Sequence, residues 1–157
     1  MKRNSRVLAV AFGVVLLVAV FGGFFSANTK EEWYILIRPG LSPPDHIFSI
    51  VWPVLYALIA LSFYFAWNSA KPKEREIVDW GYGLNIFFNA MWGFLFFGLK
   101  NPLAGFVDIV LILTSLIWIM QITWKIEKEA FWLLVPYLLW IIFAMVLNLQ
   151  AIYNLGI

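Results

Sequence analysis

The segment RPGLSPPDHIFSIVWPVLYALIALS, which runs from Arg38 to Ser62, decides the fold. Its first half contains Pro39, Pro43 and Pro44, which restrict the backbone angles and oppose regular structure. Its second half is apolar and belongs to an uncharged run over 47–69. A helix needs about 20 such residues to cross the hydrocarbon core of a bilayer. The segment therefore predicts a stiff loop followed by a transmembrane helix.

The composition of the whole chain extends this interpretation. The 157 residues are 63% hydrophobic and only 13% charged, roughly half the charge of an ordinary soluble domain, so the expected surrounding is the lipid bilayer. Long continuous apolar runs favour helices over strands. We predict an all-α membrane protein, with residues 1–157 forming a single domain, a five-transmembrane-helix bundle. Its spans are 7–26, 47–69, 80–99, 103–124 and 130–153.

The first apolar run has a second interpretation. Its basic start, its apolar middle and the pair Ser26-Ala27 also fit a cleaved signal peptide. The run is longer than a usual signal core, however, and cleavage after Ala27 would place the bulky Phe25 where a small residue is preferred. We therefore expect a retained first helix.

Lysines and arginines are distributed unequally between the two sides of such a bundle. Eight lie at the N-terminus and in the second and fourth connections, whereas the other side has only Lys30, Arg38 and Lys100. The positive-inside rule then predicts a cytoplasmic N-terminus and an outside C-terminus. Helical spans favour a prokaryotic cell (inner) membrane over an outer one. A net charge of +2 and scattered basic residues argue against a nucleic-acid partner.

Aromatic and polar side chains share single faces of three predicted helices. Residues spaced by three or four lie on one face of a helix. The faces comprise Phe48, Trp52 and Tyr56 in the second span, Asn85, Asn89 and Trp92 in the third, and Trp140, Ala144 and Asn148 in the fifth. Converging faces of this kind would enclose a pocket for a flat, largely apolar ligand with polar edges. The alternative is structural, because asparagines also bond neighbouring helices and tryptophans also mark membrane interfaces.

Some single residues suggest local roles. Asp108 is expected to be a buried hydrogen-bond partner or to lie near the wet interface. His46 is the only histidine and the chain has no cysteine, so no metal site is expected, and His46 is placed at a helix start or pocket rim. Asp45 suits the N-cap of the second span. Pro53 and Pro136 are expected to bend their helices.

Six short motifs occur in order along the chain after residue 32. They are a Trp-Tyr pair, Pro-x-x-x-Pro-Pro, Val-Trp-x-x-Leu-Tyr, Asn-x-x-x-Asn, a Lys-Asn step before an aspartate-bearing helix, and Pro-Tyr-x-x-Trp-x-x-Phe-Ala. In this order they resemble the TspO/MBR family, also known as tryptophan-rich sensory proteins, translocator proteins or peripheral-type benzodiazepine receptors. The first helix contributes little to the resemblance.

The resemblance implies a five-helix bundle that forms a homodimer and binds protoporphyrin IX and other haem-type tetrapyrroles. Some members bind sterols, and synthetic isoquinolines and benzodiazepines are also ligands. Porphyrin is then a ligand and no cofactor is expected. The implied pocket is closed by the first loop, the proline-rich lid loop 27–46. Carried over by motif, the ligand-binding residues are Trp33, Tyr34, Trp52, Asn85, Asn89, Trp140 and Ala144. The secondary candidates are His46, Phe48, Tyr56, Trp92 and Asn148.

Three functions remain open at this point. The first is porphyrin binding with a transport or stress-sensing role. The second is light- and oxygen-dependent degradation of the bound porphyrin, with Trp52 and Trp140 as electron donors, although the chain shows no conventional catalytic set. The third is transport of another amphipathic solute or a sterol. Tyr153 lacks the following basic residue of the proposed sterol pattern. The spans contain no Gly-x-x-x-Gly, but Ala90 and Gly93 would let two third helices approach closely.

Overall fold

The computed structural model describes residues 4–26 and 31–156. Over these ranges the regular structure is helical and contains no strand, so the predicted all-α class is confirmed. A short π-helical segment, Phe94–Gly98, prolongs the fourth helix. The helices are α1 (Ser5–Ser26), α2 (Glu32–Ile37), α3 (Asp45–Ser69), α4 (Pro72–Gly93), α5 (Pro102–Ile126) and α6 (Lys128–Leu155).

Four helices in the described part of the chain are long and apolar enough to cross a membrane, namely α1, α3, α5 and α6. The sequence predicts a fifth span over 80–99. The corresponding helix, α4, begins earlier, at Pro72. Its start is capped because the Glu74 carboxylate accepts a hydrogen bond from the backbone N–H of Lys71 at 2.8 Å. The charged first turns and the two asparagines of α4 lower its mean hydropathy, so the count of five spans stays a prediction.

The start of α3 differs from the prediction. Pro44 occupies the N-cap position and Asp45 is the first helical residue, so the prediction that Asp45 caps the helix is wrong. Its carboxylate is used elsewhere, because it accepts a hydrogen bond from the Arg38 guanidinium at 2.8 Å. Pro53 and Pro136 lie inside α3 and α6 without interrupting either helix.

Side-chain hydrogen bonds identify one end of the bundle. The backbone N–H of Asn4 donates to Asn68 Oδ1 at 2.7 Å, which holds the start of α1 beside the end of α3. The Ser69 hydroxyl donates to Glu127 Oε2 at 2.6 Å, which adds the α5–α6 connection. We call this the N-terminal end. The ends of α1 and α6, the segment with α2, and the α4–α5 connection lie at the opposite end.

Small residues bring the helices of the bundle close together. A Cβ at Gly81 would lie 3.2 Å from the Ile119 side chain, so α4 approaches α5 closely there. A Cβ at Gly93 would lie 3.3 Å from the Gly22 carbonyl oxygen, so the same helix meets α1 backbone to backbone. Gly93 is therefore buried against α1 and is not available for contact with a second copy, contrary to the suggestion from the sequence.

Candidate ligand-binding site

A cavity of about 480 Å³ lies among α1, α3, α4, α5 and α6 at the end opposite the N-terminus. This volume falls within the usual range of small-molecule sites. Nine of the twelve residues nominated from the sequence line it: Tyr34, Phe48, Trp52, Tyr56, Asn89, Trp92, Trp140, Ala144 and Asn148. The three faces inferred from residue spacing therefore meet around one space.

Aromatic rings of α3 and α6 form one wall of the cavity. The Trp52 and Trp140 rings lie 6.4 Å apart and nearly perpendicular, and Phe48 meets the Trp140 ring edge-on at 5.5 Å. Edge-to-face packing holds such rings in fixed orientations. One turn beyond Trp140, Ala144 carries only a methyl group, and it too lines the hollow. The wall thus combines rigid aromatic surfaces with open space beside them.

A second wall is formed where α4 passes into the π-helical segment. The Trp92 ring stacks on Phe96 at 5.2 Å, and its indole N–H donates to Asn148 Oδ1 at 3.3 Å. The Asn148 amide donates in turn to the Pro102 carbonyl oxygen at 2.7 Å. The asparagine thereby fixes the Trp92 ring against α6. π-helical turns often occur at functional sites, where the altered ladder redirects side chains.

The main polar feature of the cavity wall is an amide held by two tyrosines. The Tyr56 hydroxyl donates to Asn89 Oδ1 at 2.7 Å, and Asn89 Nδ2 donates to the Tyr137 hydroxyl at 2.9 Å. Tyr56 and Asn89 line the cavity, whereas Tyr137 is fully buried behind them. The bonds join α3, α4 and α6, so this polar edge is held by three helices.

Asn85 continues the same hydrogen-bond chain away from the cavity. Its Oδ1 accepts from the Tyr137 hydroxyl at 3.1 Å, and its Nδ2 donates to Ser115 Oγ at 2.9 Å and to the Ile112 carbonyl oxygen at 3.0 Å. Only 1% of Asn85 is exposed, and it does not line the cavity. It lies one turn from Asn89 on the same helix face but one layer deeper in the core.

Two buried polar atoms near the cavity lack a hydrogen-bond partner among the described residues. The first is Nε1 of Trp140, on the cavity wall. The second is Oδ2 of Asp108, whose neighbour Ile109 lines the cavity. Asp108, expected either to be a buried hydrogen-bond partner or to lie near the wet interface, is buried, but no hydrogen bond to its Oδ2 is found among the described residues. Unpaired buried polar atoms are costly, and both atoms are too deeply buried to face the open space of the cavity directly.

The described part of the predicted lid covers residues 31–46, which we call the lid segment. Residues 27–30, which belong to the same predicted loop, lie outside the described residues. The expected loop contains the short helix α2, which carries both residues of the Trp-Tyr pair. Tyr34 is buried against Phe97 at 5.3 Å and lines the cavity, whereas Trp33 packs on Phe96 at 5.9 Å and does not.

Polar side chains at the end of α6 hold the backbone of the lid segment. Asn154 Nδ2 donates to the carbonyl oxygens of Ile37 at 3.3 Å and Arg38 at 3.2 Å. Gln150 Oε1 accepts the backbone N–H of Leu41 at 3.4 Å. These bonds tie the segment to α6 on both sides of Pro39, whose pyrrolidine ring lines the cavity.

Two ion pairs brace the ends of the lid segment. Arg38 pairs with Asp45 at 2.8 Å, and Glu31 pairs with Lys100 of the α4–α5 connection at 2.7 Å. All four side chains are partly exposed, so each pair is expected to contribute little to stability. His46 is exposed in the first turn of α3 and does not line the cavity.

The first helix supplies a face of the cavity that sequence reasoning missed. Its contribution is the row Ala19, Gly22, Gly23 and Ser26. These side chains are small, so they leave the cavity open on the side of α1. A face of small residues at helical spacing was the available signal, but it carries neither aromatic rings nor amides and also fits plain helix packing.

Comparison with known proteins agrees with this architecture. The sequence model of the TspO/MBR family matches residues 11–154. The chain is 36% identical to the tryptophan-rich protein TspO of Archaeoglobus fulgidus, covering 98% of this chain and 99% of that protein. It is 32% identical to the tryptophan-rich protein TspO of Chlorobaculum tepidum, with 94% and 95% covered, and 32% identical to the translocator protein of Bos taurus, with 88% and 85% covered. The chain therefore belongs to the TspO/MBR family.

Proposed function

We propose that this chain is an integral membrane binding protein for porphyrins, such as protoporphyrin IX and haem-type tetrapyrroles, and for similar apolar ring compounds. The cavity of about 480 Å³, walled largely by aromatic rings and bordered by the Asn89 amide, carries the proposal. Apolar walls supply affinity by removing ring surface from water, and a few polar groups fix orientation. A transport or stress-sensing role would follow from the release or retention of such a ligand.

The ligand class follows from the kinds of surface that line the cavity. Trp52, Trp140 and Phe48 present ring faces and edges, which suit a flat aromatic partner. The Asn89 amide suits a polar group at the rim of that partner. A long flexible lipid would use neither the ring geometry nor this amide.

The arrangement in the membrane is part of the proposal. We take α4 with its π-helical extension as the fifth span, because the chain from Trp80 to Gly98 is uncharged. The excess of basic residues at the N-terminal end supports a cytoplasmic N-terminus in a prokaryotic cell membrane, with the C-terminus and lid segment outside. A homodimer is expected from the family, with the exposed face of α4 around Trp80 and Phe87 as a candidate contact.

Titration of tryptophan fluorescence with protoporphyrin IX tests the proposal. In detergent micelles or nanodiscs, saturable quenching is expected, and Trp140→Phe or Trp52→Phe removes a large part of the quenchable signal. Trp132→Phe is the matched control, because Trp132 is on α6 but is 61% exposed. Quenching no greater than that given by empty nanodiscs contradicts the proposal. Parallel titrations with an isoquinoline and a sterol show whether the cavity binds another solute more tightly than porphyrin.

A second candidate function is light- and oxygen-dependent degradation of the bound porphyrin. The observation that favours it is the pair Trp52 and Trp140, whose rings are 6.4 Å apart on the cavity wall, where both can contact one excited ring. Under illumination in air, bleaching of bound protoporphyrin should then slow in Trp52→Phe and Trp140→Phe. Equal bleaching rates in both variants and the wild type would remove protein-directed chemistry and leave binding.

A further inference from the structure

The hydrogen-bond chain behind the cavity has one end whose polarity is fixed by the backbone. The Ile112 carbonyl oxygen can only accept, and Asn85 Nδ2 lies 3.0 Å from it. The amide oxygen of Asn85 must therefore point the other way, towards the Tyr137 hydroxyl at 3.1 Å. The orientation of this buried amide follows from chemistry alone. In the reverse orientation, Asn85 Oδ1 would face the Ile112 carbonyl oxygen, and two acceptors cannot form a hydrogen bond.

The fixed polarity passes along the chain to the cavity. Because the Tyr137 hydroxyl gives its proton to Asn85, its oxygen is left to accept, and Asn89 Nδ2 donates to it at 2.9 Å. Asn89 Oδ1 then accepts from Tyr56 at 2.7 Å. A flipped Asn89 would set its oxygen against a Tyr137 oxygen that has no proton left to offer.

The cavity consequently presents donors rather than acceptors at this edge. Asn89 Nδ2 carries a second N–H, for which no partner is found in the described part of the chain, while its Oδ1 is engaged by Tyr56. The second N–H of Asn89 is therefore the unused donor at this edge of a largely apolar space.

We propose that Tyr137 and Asn85 are positioning residues that hold Asn89 with its N–H towards the ligand, which makes the site selective for ring compounds carrying a hydrogen-bond acceptor such as a carboxylate. The selectivity rests on the proposed binding of ring ligands in this cavity. Neither positioning residue touches the ligand. Both act through the orientation of Asn89, so their effect must vanish when Asn89 is replaced.

The binding test compares two flat tetrapyrroles, protoporphyrin IX with its two carboxylates and etioporphyrin with alkyl groups only. The measured quantity is the ratio of their dissociation constants. In the wild type, protoporphyrin is expected to bind at least about tenfold more tightly, the usual effect of a hydrogen bond to a charged acceptor. Tyr137→Phe should reduce this preference by about three- to tenfold, because Asn89 is then free to flip.

Matched variants separate positioning from general loss of packing. Tyr82→Phe is the control, because Tyr82 is another buried tyrosine whose hydroxyl is hydrogen-bonded, to Ser62 at 2.5 Å, away from the cavity. It should leave the preference unchanged. In an Asn89→Leu background, Tyr137→Phe should cause no further change in preference. If Tyr137→Phe does not fold, Asn85→Ala tests the same polarity from the other side of the tyrosine.

A second readout needs no ligand. In protein labelled with ¹⁵N-asparagine, the side-chain amide signals of Asn89, assigned by their loss in Asn89→Leu, should shift and exchange faster with solvent in Tyr137→Phe but not in Tyr82→Phe. Unchanged Asn89 signals in Tyr137→Phe overturn the proposal, as does equal weakening of both porphyrins. If neither porphyrin binds the wild type, the proposed function fails and the ligand selectivity fails with it, whereas the amide signals still decide the orientation.

Discussion

The two ends of the bundle use the same kinds of residue to different effect. At the N-terminal end, the Ser62 hydroxyl lies 2.6 Å from the Ala130 carbonyl oxygen and 2.5 Å from the Tyr82 hydroxyl, and these groups are buried and do not line the cavity. At the opposite end, the chain from Tyr56 through Asn89 is equally well bonded but borders about 480 Å³ of space. Tyrosines with polar partners are therefore structural at one end and form a cavity edge at the other.

The difference comes from the residues around those networks. Near the cavity, one helix contributes Gly22 and Gly23, another contributes Ala144, and the lid segment crosses the opening. At the N-terminal end, small residues such as Ala66 and Ala130 are fully buried in packed contacts instead, and the Arg75 guanidinium covers the Trp67 ring at 3.9 Å. A hydrogen-bonded amide inside a membrane protein thus indicates a site only where small neighbours leave room.

The largest expected effect is the loss of binding when the space is filled. Ala144→Phe places a ring in the cavity, so affinity for protoporphyrin IX should fall by at least about hundredfold, or ~2.7 kcal/mol. The control is Val146→Phe, two residues along the same helix, where the side chain is exposed on the outer surface. Isothermal or fluorescence titration measures both. Full affinity in Ala144→Phe would mean that the ligand lies elsewhere.

A substitution at the N-terminal end should have the opposite effect, lowering stability without changing binding. Ser62→Ala leaves the buried Tyr82 hydroxyl without its partner, so the free energy of unfolding should fall by about 1–3 kcal/mol, with porphyrin affinity unchanged. Thermal melting in nanodiscs and the same titration check the two halves of this expectation. A loss of affinity without a loss of stability would show that the two ends are not independent.

These two predictions rest on different amounts of sequence information. Four of the spans were predictable because their apolar runs are long, and the places of Trp52, Asn89 and Trp140 on the cavity wall were predictable because a spacing of four puts rings and amides on one face. The depth of Asn85 was not, since a helix face does not reveal that its amide bonds the buried Tyr137 hydroxyl of another helix and does not line the cavity. Helix α2 was missed because six residues ahead of the proline-rich stretch are too few to show a helical period.

The lid segment should control rates more than affinity. Replacing Asn154 and Gln150 together by leucine removes three hydrogen bonds to the lid backbone. Porphyrin dissociation and association should both become faster by about three- to tenfold, because these long, partly exposed bonds together contribute about 1 kcal/mol to holding the segment closed. Tyr153→Leu, an exposed neighbour, is the control. Stopped-flow quenching measures the rates, and unchanged rates would show that ligand exchange bypasses the lid segment.

Deletion of Leu41 to Pro44 tests the same segment more severely. The shortened loop cannot reach its contact with Gln150, so porphyrin affinity should decrease while the helices remain folded by circular dichroism. Unchanged affinity would contradict a closing role for the segment.

The smallest expected effect concerns the ion pair between Arg38 and Asp45. Both side chains are partly exposed, so Asp45→Asn should change stability by less than about 1 kcal/mol, and less still at high salt. Dissociation of porphyrin is expected to change by no more than about twofold. Melting curves and stopped-flow traces at low and high salt check this. A tenfold change in the dissociation rate would show that this ion pair is the main contact holding the lid segment closed.

An experimental structure of the protein with protoporphyrin IX bound tests ligand binding in this cavity. Ring density is expected in the cavity between Trp52 and Trp140, with a carboxylate or other acceptor within hydrogen-bond distance of Asn89 Nδ2. Density only on the lipid-facing surface, or only between two copies of the chain, with the cavity empty, would contradict it.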